Sequence, residues 1–183
     1  IAAEIDRENK IINDLLTLVK LDKTDGELNI ESIDINALLE LLMKRLRPIA
    51  RLKNIEVVLE SNRPVQAEVD EVKITLALSN LVENAIKYNK ENGWVRVILD
   101  ADHQYFTVMI EDSGMGIPED SIEHIYERFY RVDKSHSKEI GGNGLGLAIT
   151  RNVILMHRGT IQVSSIENEG TTFLVKIPLI YSK

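Results

Sequence analysis

The chain has no cysteine in 183 residues. Disulfides, thiol nucleophiles and thiolate metal sites are therefore excluded. It has no apolar run near the roughly 18 residues that a membrane-spanning helix requires. It is also short of positive charge: 22 Lys and Arg stand against 29 Asp and Glu, for a net charge of −7 and a pI near 5.2. That balance argues against a general nucleic-acid or anionic-membrane binder, while leaving room for a local basic pocket. Internal repeats and low-complexity tracts are lacking too. What is present is 44% hydrophobic and 28% charged, the composition of a folded globular domain. The length suits one hydrophobic core with an appendage. The first residue is Ile1 rather than Met, as expected of a fragment or a processed product.

Residues 1–22 read as a single helix. Ile5, Ile12 and Val19 recur every seven residues, with Leu15 and Leu16 beside them and Asp6, Arg7, Lys10 and Asp14 on the other faces. This heptad stripe suits a partner helix, and it also fits a helix docked on its own domain. The turn cluster Asp22-Lys-Thr-Asp-Gly26 ends it. Beyond it, Leu28 and Ile30 alternate as a short strand. Asn36 is placed to cap a helix carrying Leu38, Leu39, Leu42, Leu46 and Ile49, which Pro48 should bend or shorten. Ile55, Val57 and Leu59 read as a strand. Asp70 caps a long helix with Ile74, Leu78, Leu81, Ala85 and Ile86 inside. Strands follow at Trp94–Leu99 and Tyr105–Glu111. Residues 113–143 read as loop with a short helix, too long for an idle connection. A helix from about Leu145 to Met156 and strands at Thr160–Ser165 and Thr171–Ile177 close the chain. The pattern predicts about five strands backed by three helices.

Three segments carry chemistry. On a helix, Asn80 and Asn84 lie one turn apart, with Lys87 next along the same face. Two amide oxygens and a lysine suit a magnesium–phosphate complex, since hard cations take oxygen ligands. The same pattern fits a polar helix face that only makes hydrogen bonds. The second segment is Asp112-Ser-Gly114-Met-Gly116-Ile-Pro118, directly after a strand. Its glycines allow close backbone approach to a flat ligand, and its acid can accept from a base amine. Glycine turns after strands are also common without any ligand. The third is Gly141-Gly-Asn-Gly144-Leu-Gly146-Leu, running into a helix, where backbone N–H groups and the dipole favour phosphate. It is equally compatible with a hinge. Neither the Gly-x-Gly-x-x-Gly spacing nor a Gly-Lys-Ser/Thr run is present, so those two phosphate-binding classes are disfavoured.

Taken together and in this order, the segments resemble the ATP-binding domain of bacterial sensor histidine kinases, within the gyrase, Hsp90, histidine kinase and MutL superfamily. Asn80–Tyr88 resembles the N box, Asp112–Gly116 the G1 box, and Glu127-Arg-Phe129-Tyr-Arg131 the F box. Gly142–Leu147 resembles the G2 box and Gly170-Thr171-Thr-Phe173 the closing glycine–threonine motif. Residues 1–22 resemble the second helix of the family's dimerisation hairpin, leaving residues 23–183 as the catalytic domain. The resemblance implies an α+β two-layer sandwich, the Bergerat-type fold, preceded by one long helix. It implies ATP and Mg²⁺ as cofactors, with Asn84 the principal metal ligand and Asn80 near it. Lys87 and Tyr88 would face phosphates and ribose. Asp112 would take the adenine amine, with Thr171 in the same network, and Gly114 and Gly116 would let the base lie against backbone. Residues 117–143 would form a lid, with Arg131 a phosphate contact, and Gly142, Gly144, Leu145 and Gly146 would clamp the phosphates. The implied partners are a response-regulator receiver domain and a second copy of the chain through the hairpin. Nucleic acid is not among them. The implied location is a cytoplasmic domain, tied to a membrane only through regions outside this sequence.

Three departures from the family pattern are mild: Asn89 in place of Ser or Thr, Asn143 in place of Thr or Ser, and Tyr126 in place of Phe. A larger one is the acceptor histidine. His103, His124, His136 and His157 all lack the acidic-and-proline context of the family's acceptor, so each is expected to be solvated or structural. Hydrolysing branches of the superfamily carry a glutamate at position 80 as base for water. Asn80 cannot take that proton, which favours transfer to a protein histidine. The competing readings are a serine-phosphorylating kinase of the anti-sigma-factor type and a nucleotide-responsive module without phosphoryl transfer.

Overall fold

A computed structural model describes residues 12–13, 27–130 and 146–182. The expected leading helix lies outside these residues, apart from Ile12 and Asn13, which are helical. The described chain runs β1 (Ile30–Asp34), α1 (Ile35–Arg51), β2 (Glu56–Ser61), β3 (Gln66–Asp70), α2 (Glu71–Lys87), β4 (Trp94–Ala101), β5 (Tyr105–Asp112), α3 (Gly146–Met156), β6 (Thr160–Ile166) and β7 (Gly170–Pro178). A single 3₁₀ turn at Ile122–His124 precedes the residues left undescribed before α3.

Five strands form one mixed sheet in the order β2-β4-β5-β7-β6. The β2–β4 pair is parallel and the rest are antiparallel. Alternate residues of each strand face the helices: Val95, Val97 and Leu99 on β4, Phe106, Val108 and Ile110 on β5, and Phe173, Val175 and Ile177 on β7 are all buried. The three helices bring matching apolar faces, led by Leu39, Leu42 and Leu46 on α1, Ile74, Leu78 and Leu81 on α2, and Ile149 and Val153 on α3. Period two on the strands and period 3.6 on the helices thus meet in one core, the α+β two-layer arrangement that the sequence predicts. The far face of the sheet is wetter. There Arg96 pairs in a bidentate manner with Glu60 at 2.9 Å and approaches Glu111 at 3.6 Å.

The structure corrects four local expectations. The first strand runs from Ile30 to Asp34 and excludes Leu28. Asp34, not Asn36, caps α1, accepting from the Ala37 amide at 3.1 Å. Asn36 instead bridges to the stretch before β3, donating to the Arg63 carbonyl and accepting from the Val65 amide at 2.7 Å. Pro48 neither ends nor shortens α1, which continues to Arg51. The carbonyl that proline leaves unpaired belongs to Lys44, on the exposed face where water can satisfy it. Ile49, counted on the apolar stripe, is exposed at 45%. Strand β3 is absent from the sequence reading. Its five residues pair with β1 in a separate two-stranded sheet and bury only Ala67, Val69 and Asp70.

Candidate functional site

The site lies where α2 passes the β5 end of the sheet. Asp70 starts α2 as expected, its carboxylate accepting from the Lys73 amide at 3.0 Å and the Asn29 amide at 2.9 Å. Burial opposes ionisation of Asp70, but those amides and the Lys73 ammonium outweigh it and hold its carboxyl below the usual range. The other end of α2 is closed by a lysine. Lys53 Nζ donates to the carbonyls of Ile86, Lys87 and Asn89 at 3.3, 2.8 and 2.9 Å. A cation on the last carbonyls of a helix answers both the orphan acceptors and the dipole.

Between these ends, Asn80, Asn84 and Lys87 are half-buried along one side of α2. Asn80 Nδ2 donates to the Gly146 carbonyl at 3.2 Å, which ties α2 to the first turn of α3. Thr150 Oγ1 reaches the same carbonyl at 2.9 Å. The Asn84 and Lys87 side chains have no hydrogen bond or ion pair among the described residues. Tyr88 ends α2, and its carbonyl accepts from the Met115 amide at 3.0 Å, which anchors the glycine loop after β5 to the helix.

Asp112 is the last residue of β5. Its Oδ1 accepts from the Gly114 amide at 2.8 Å, and the backbone of Thr171 also donates to it. Burial pushes its carboxyl up to about 6 from an ordinary 3.8, against the pull of those two amides. Asp112 pairs with Thr171, and Thr171 with Ser165, across β5, β7 and β6. Cross-strand partners share a face. The three therefore form a polar row on the helix side of the sheet, next to the apolar row Ile110, Phe173, Val163. A side chain at Gly114 would meet the Tyr88 carbonyl, and one at Gly116, where φ is +69°, would meet that of Ile166. The protein's own backbone fills the room these glycines make, so packing alone requires them.

Of the expected site residues, Asn80, Asn84, Lys87, Tyr88, Asp112, Gly114, Gly116, Gly146 and Thr171 are described, and they gather around this end of the fold. Arg131, Gly142, Gly144 and Leu145 lie outside the described residues, as do Asn143 and His136. His103 and His124 are exposed, with His124 paired to Glu127 at 2.7 Å. His157 is buried and structural: Nε2 accepts from the Asp70 amide at 3.0 Å, and Nδ1 donates to the Val153 carbonyl at 2.8 Å.

Sequence reasoning misses Ser165, Ser113 and Lys53. Ser165 carries a usable signal: it shares strand parity with Ile161 and Val163, so it is a polar residue on a core-facing position. The departure at Asn89 also finds its role. Asn89 is buried, donates to the Trp94 carbonyl at 2.9 Å and accepts from Ser113 Oγ at 3.1 Å, locking the end of α2 to β4.

A sequence profile described as histidine kinase-, DNA gyrase B-, and HSP90-like ATPase matches residues 69–180. Sensor histidine kinase WalK of Bacillus subtilis is 36% identical over 178 residues, which cover 96% of this chain and 29% of that protein. This chain thus spans less than a third of the length of that relative. The catalytic domain of histidine kinase ThkA superposes with a TM-score of 0.74 at 29% identity, over 84% of this chain and 97% of that one. ThkA solved in complex with the response regulator protein TrrA superposes with a TM-score of 0.76 at 26% identity, over 97% of this chain and 49% of that one.

Proposed function

The chain belongs to the histidine kinase-, DNA gyrase B- and HSP90-like ATPase family, as the ATP-binding catalytic domain of a sensor histidine kinase, and from that premise we propose the reaction it serves. It holds Mg·ATP between α2 and the end of the sheet, and it presents the γ-phosphoryl to a histidine outside residues 1–183. The phosphoryl group then passes to an aspartate on the receiver domain of a response regulator.

One arrangement carries this reading. Acceptors for a base, Asp112 and Thr171, stand at the sheet end, while Asn84 and Lys87, an amide and an ammonium without side-chain partners among the described residues, stand on α2; the Tyr88–Met115 bond joins the two halves. Asp112 takes the adenine amine. Lys87 and Tyr88 face the phosphates and ribose. Gly146, with Arg131, Gly142, Gly144 and Leu145, closes the phosphate end. The chain contributes mainly position and charge, as phosphoryl transfer demands. Asn80 cannot act as base for water, and its amide is already held by the Gly146 carbonyl, which supports transfer over hydrolysis.

Magnesium suits the donor set. Among the described residues, the Asn84 amide oxygen is a hard donor with no hydrogen-bond partner. Asn84 would be its principal ligand with Asn80 near it, and the ion would supply neutralisation of the phosphate charge. Residues 1–22 serve as the second helix of a dimerisation hairpin shared with another copy of the chain, and residues 23–183 as the catalytic domain. No helix among the described residues is long and apolar enough to cross a membrane. Its similarity to sensor histidine kinases supports a cytoplasmic domain of a sensor whose membrane anchor lies in other regions.

Calorimetric titration with ATP, with and without Mg²⁺, tests the core of this reading. Asn84→Ala should lose the Mg²⁺-dependent part of the affinity and keep its melting temperature. Unchanged affinity would remove Asn84 as the metal ligand.

A further inference from the structure

Ser165 sits beside Thr171, and its hydroxyl is fully committed. Three contacts meet at Ser165 Oγ: the Ile117 amide at 2.7 Å, the Gly170 carbonyl at 3.0 Å and Thr171 Oγ1 at 2.8 Å. A serine hydroxyl has one proton and two lone pairs. The Ile117 amide can only donate, so it takes one lone pair. The Gly170 carbonyl can only accept, so it takes the proton. One lone pair remains for Thr171, and Thr171 must donate into it. This is the only assignment that satisfies all three contacts.

From this we propose that Ser165 is a positioning residue for base selection: it draws the hydroxyl proton of Thr171 toward β6 and leaves Thr171 an acceptor toward the space beside Asp112. The proposal rests on the ATP-binding reading above. With Asp112 ionised, its side chain is acceptor-only, and its Oδ1 already takes the Gly114 amide. The row thus offers its occupant oxygen lone pairs and no proton. A purine edge bearing an amine at position 6, or a water donating on its behalf, matches it. A carbonyl at that position faces lone pairs and is disfavoured. Without Ser165, the Thr171 hydroxyl is free to turn and donate, and the polarity of the edge is no longer fixed.

The test compares ATP with inosine triphosphate, which keeps the ribose and phosphates and carries a carbonyl at position 6. Affinities of the whole 183-residue chain for both are measured with Mg²⁺ by calorimetry. Ser165→Ala should lower the ATP-to-inosine-triphosphate preference about five- to tenfold, the worth of one hydrogen bond. Ser165→Thr, which retains the hydroxyl, should restore it. Thr171→Val provides a second route and should lower the preference in the same way if Ser165→Ala does not fold. Equal weakening of both nucleotides in Ser165→Ala would mean a structural role only and would overturn the proposal, as would an unchanged preference in Thr171→Val. If the unmodified chain binds neither nucleotide, the ATP reading itself fails and the proposal falls with it. Firm ATP binding with an unmoved preference removes the role of Ser165 alone.

Discussion

His157 Nε2 accepts the backbone amide of Asp70 at 3.0 Å, across 87 positions of sequence. The bond joins the end of α3 to the residue that caps α2. It requires neutral imidazole, with the proton on Nδ1 facing the Val153 carbonyl. Burial, foremost, lowers the His157 pKa below its ordinary 6.5. A depressed histidine contributes stability that is complete above the unfolded value and is lost as pH falls below it. In urea unfolding between pH 5 and 8, the His157 contribution should therefore decline below about 6.5, against an opposite trend from Asp112. His157→Gln should flatten that decline. An equally steep decline in His157→Gln would exclude this histidine as its source.

Asp112 works in the opposite sense. Its carboxyl is raised to about 6, so its ionised form costs stability, and the cost appears as pH rises through that value. Asp112→Asn should stabilise the nucleotide-free protein at pH 7 by on the order of 2 kcal/mol, read as a higher melting temperature. The same substitution should weaken ATP binding at least tenfold, because the amine of the base loses an ionised acceptor. In the unmodified protein, ATP affinity should fall as pH drops below about 6. A melting temperature lowered by Asp112→Asn would contradict the idea that this carboxylate is held at a cost for binding.

How far the sequence revealed this arrangement depended on the range of each interaction. Helix α2 was legible because its signals are local: Asp70 before it and apolar residues at helical spacing within it. The alternation on β4, β5, β6 and β7 was equally local. Strand β3 escaped because its five residues follow Arg63-Pro64 and take their order from pairing with β1. The cap of α1 lies two residues before the position that the sequence predicts, because Asp34 and Asn36 are both good capping types and contact with residues 63–65 decides between them. Motifs near Asn84, Asp112 and Thr171 were visible as residue types. The row Asp112–Thr171–Ser165 was not, since cross-strand register is a property of the folded sheet.

Lys53 shows the same limit, because its three carbonyl partners lie 33 to 36 positions away. It acts through the end of α2, where Lys87 and Tyr88 sit, and burial lowers its own pKa. Lys53→Met keeps the stem and removes the donors. It should cost about 2 kcal/mol of stability and weaken ATP binding severalfold more than inorganic triphosphate binding, because the loop at Gly114 hangs from the Tyr88 carbonyl. Lys53→Arg should recover part of both. Equal losses for the two ligands would limit Lys53 to holding the fold.

The chain alone should bind ATP without labelling itself and without appreciable turnover. Self-labelling needs a histidine presented to the γ-phosphate. His157 is buried with both ring nitrogens engaged, and His103 and His124 are exposed on the hairpin of β4 and β5 and beside Glu127. Turnover needs a base for water, and Asn80 offers only an amide whose nitrogen is tied to the Gly146 carbonyl. Incubation with γ-labelled ATP, followed by separate acid and base treatment, distinguishes the outcomes, since phosphohistidine is lost in acid and survives base. A hairpin helix bearing an acceptor histidine, added in trans, should become labelled weakly, because a free helix must overcome association and ordering entropy that a covalent hairpin avoids. Strong acid-labile, base-stable label on His103, His124, His136 or His157 would place the acceptor inside this chain, and the proposed division of labour would then be wrong.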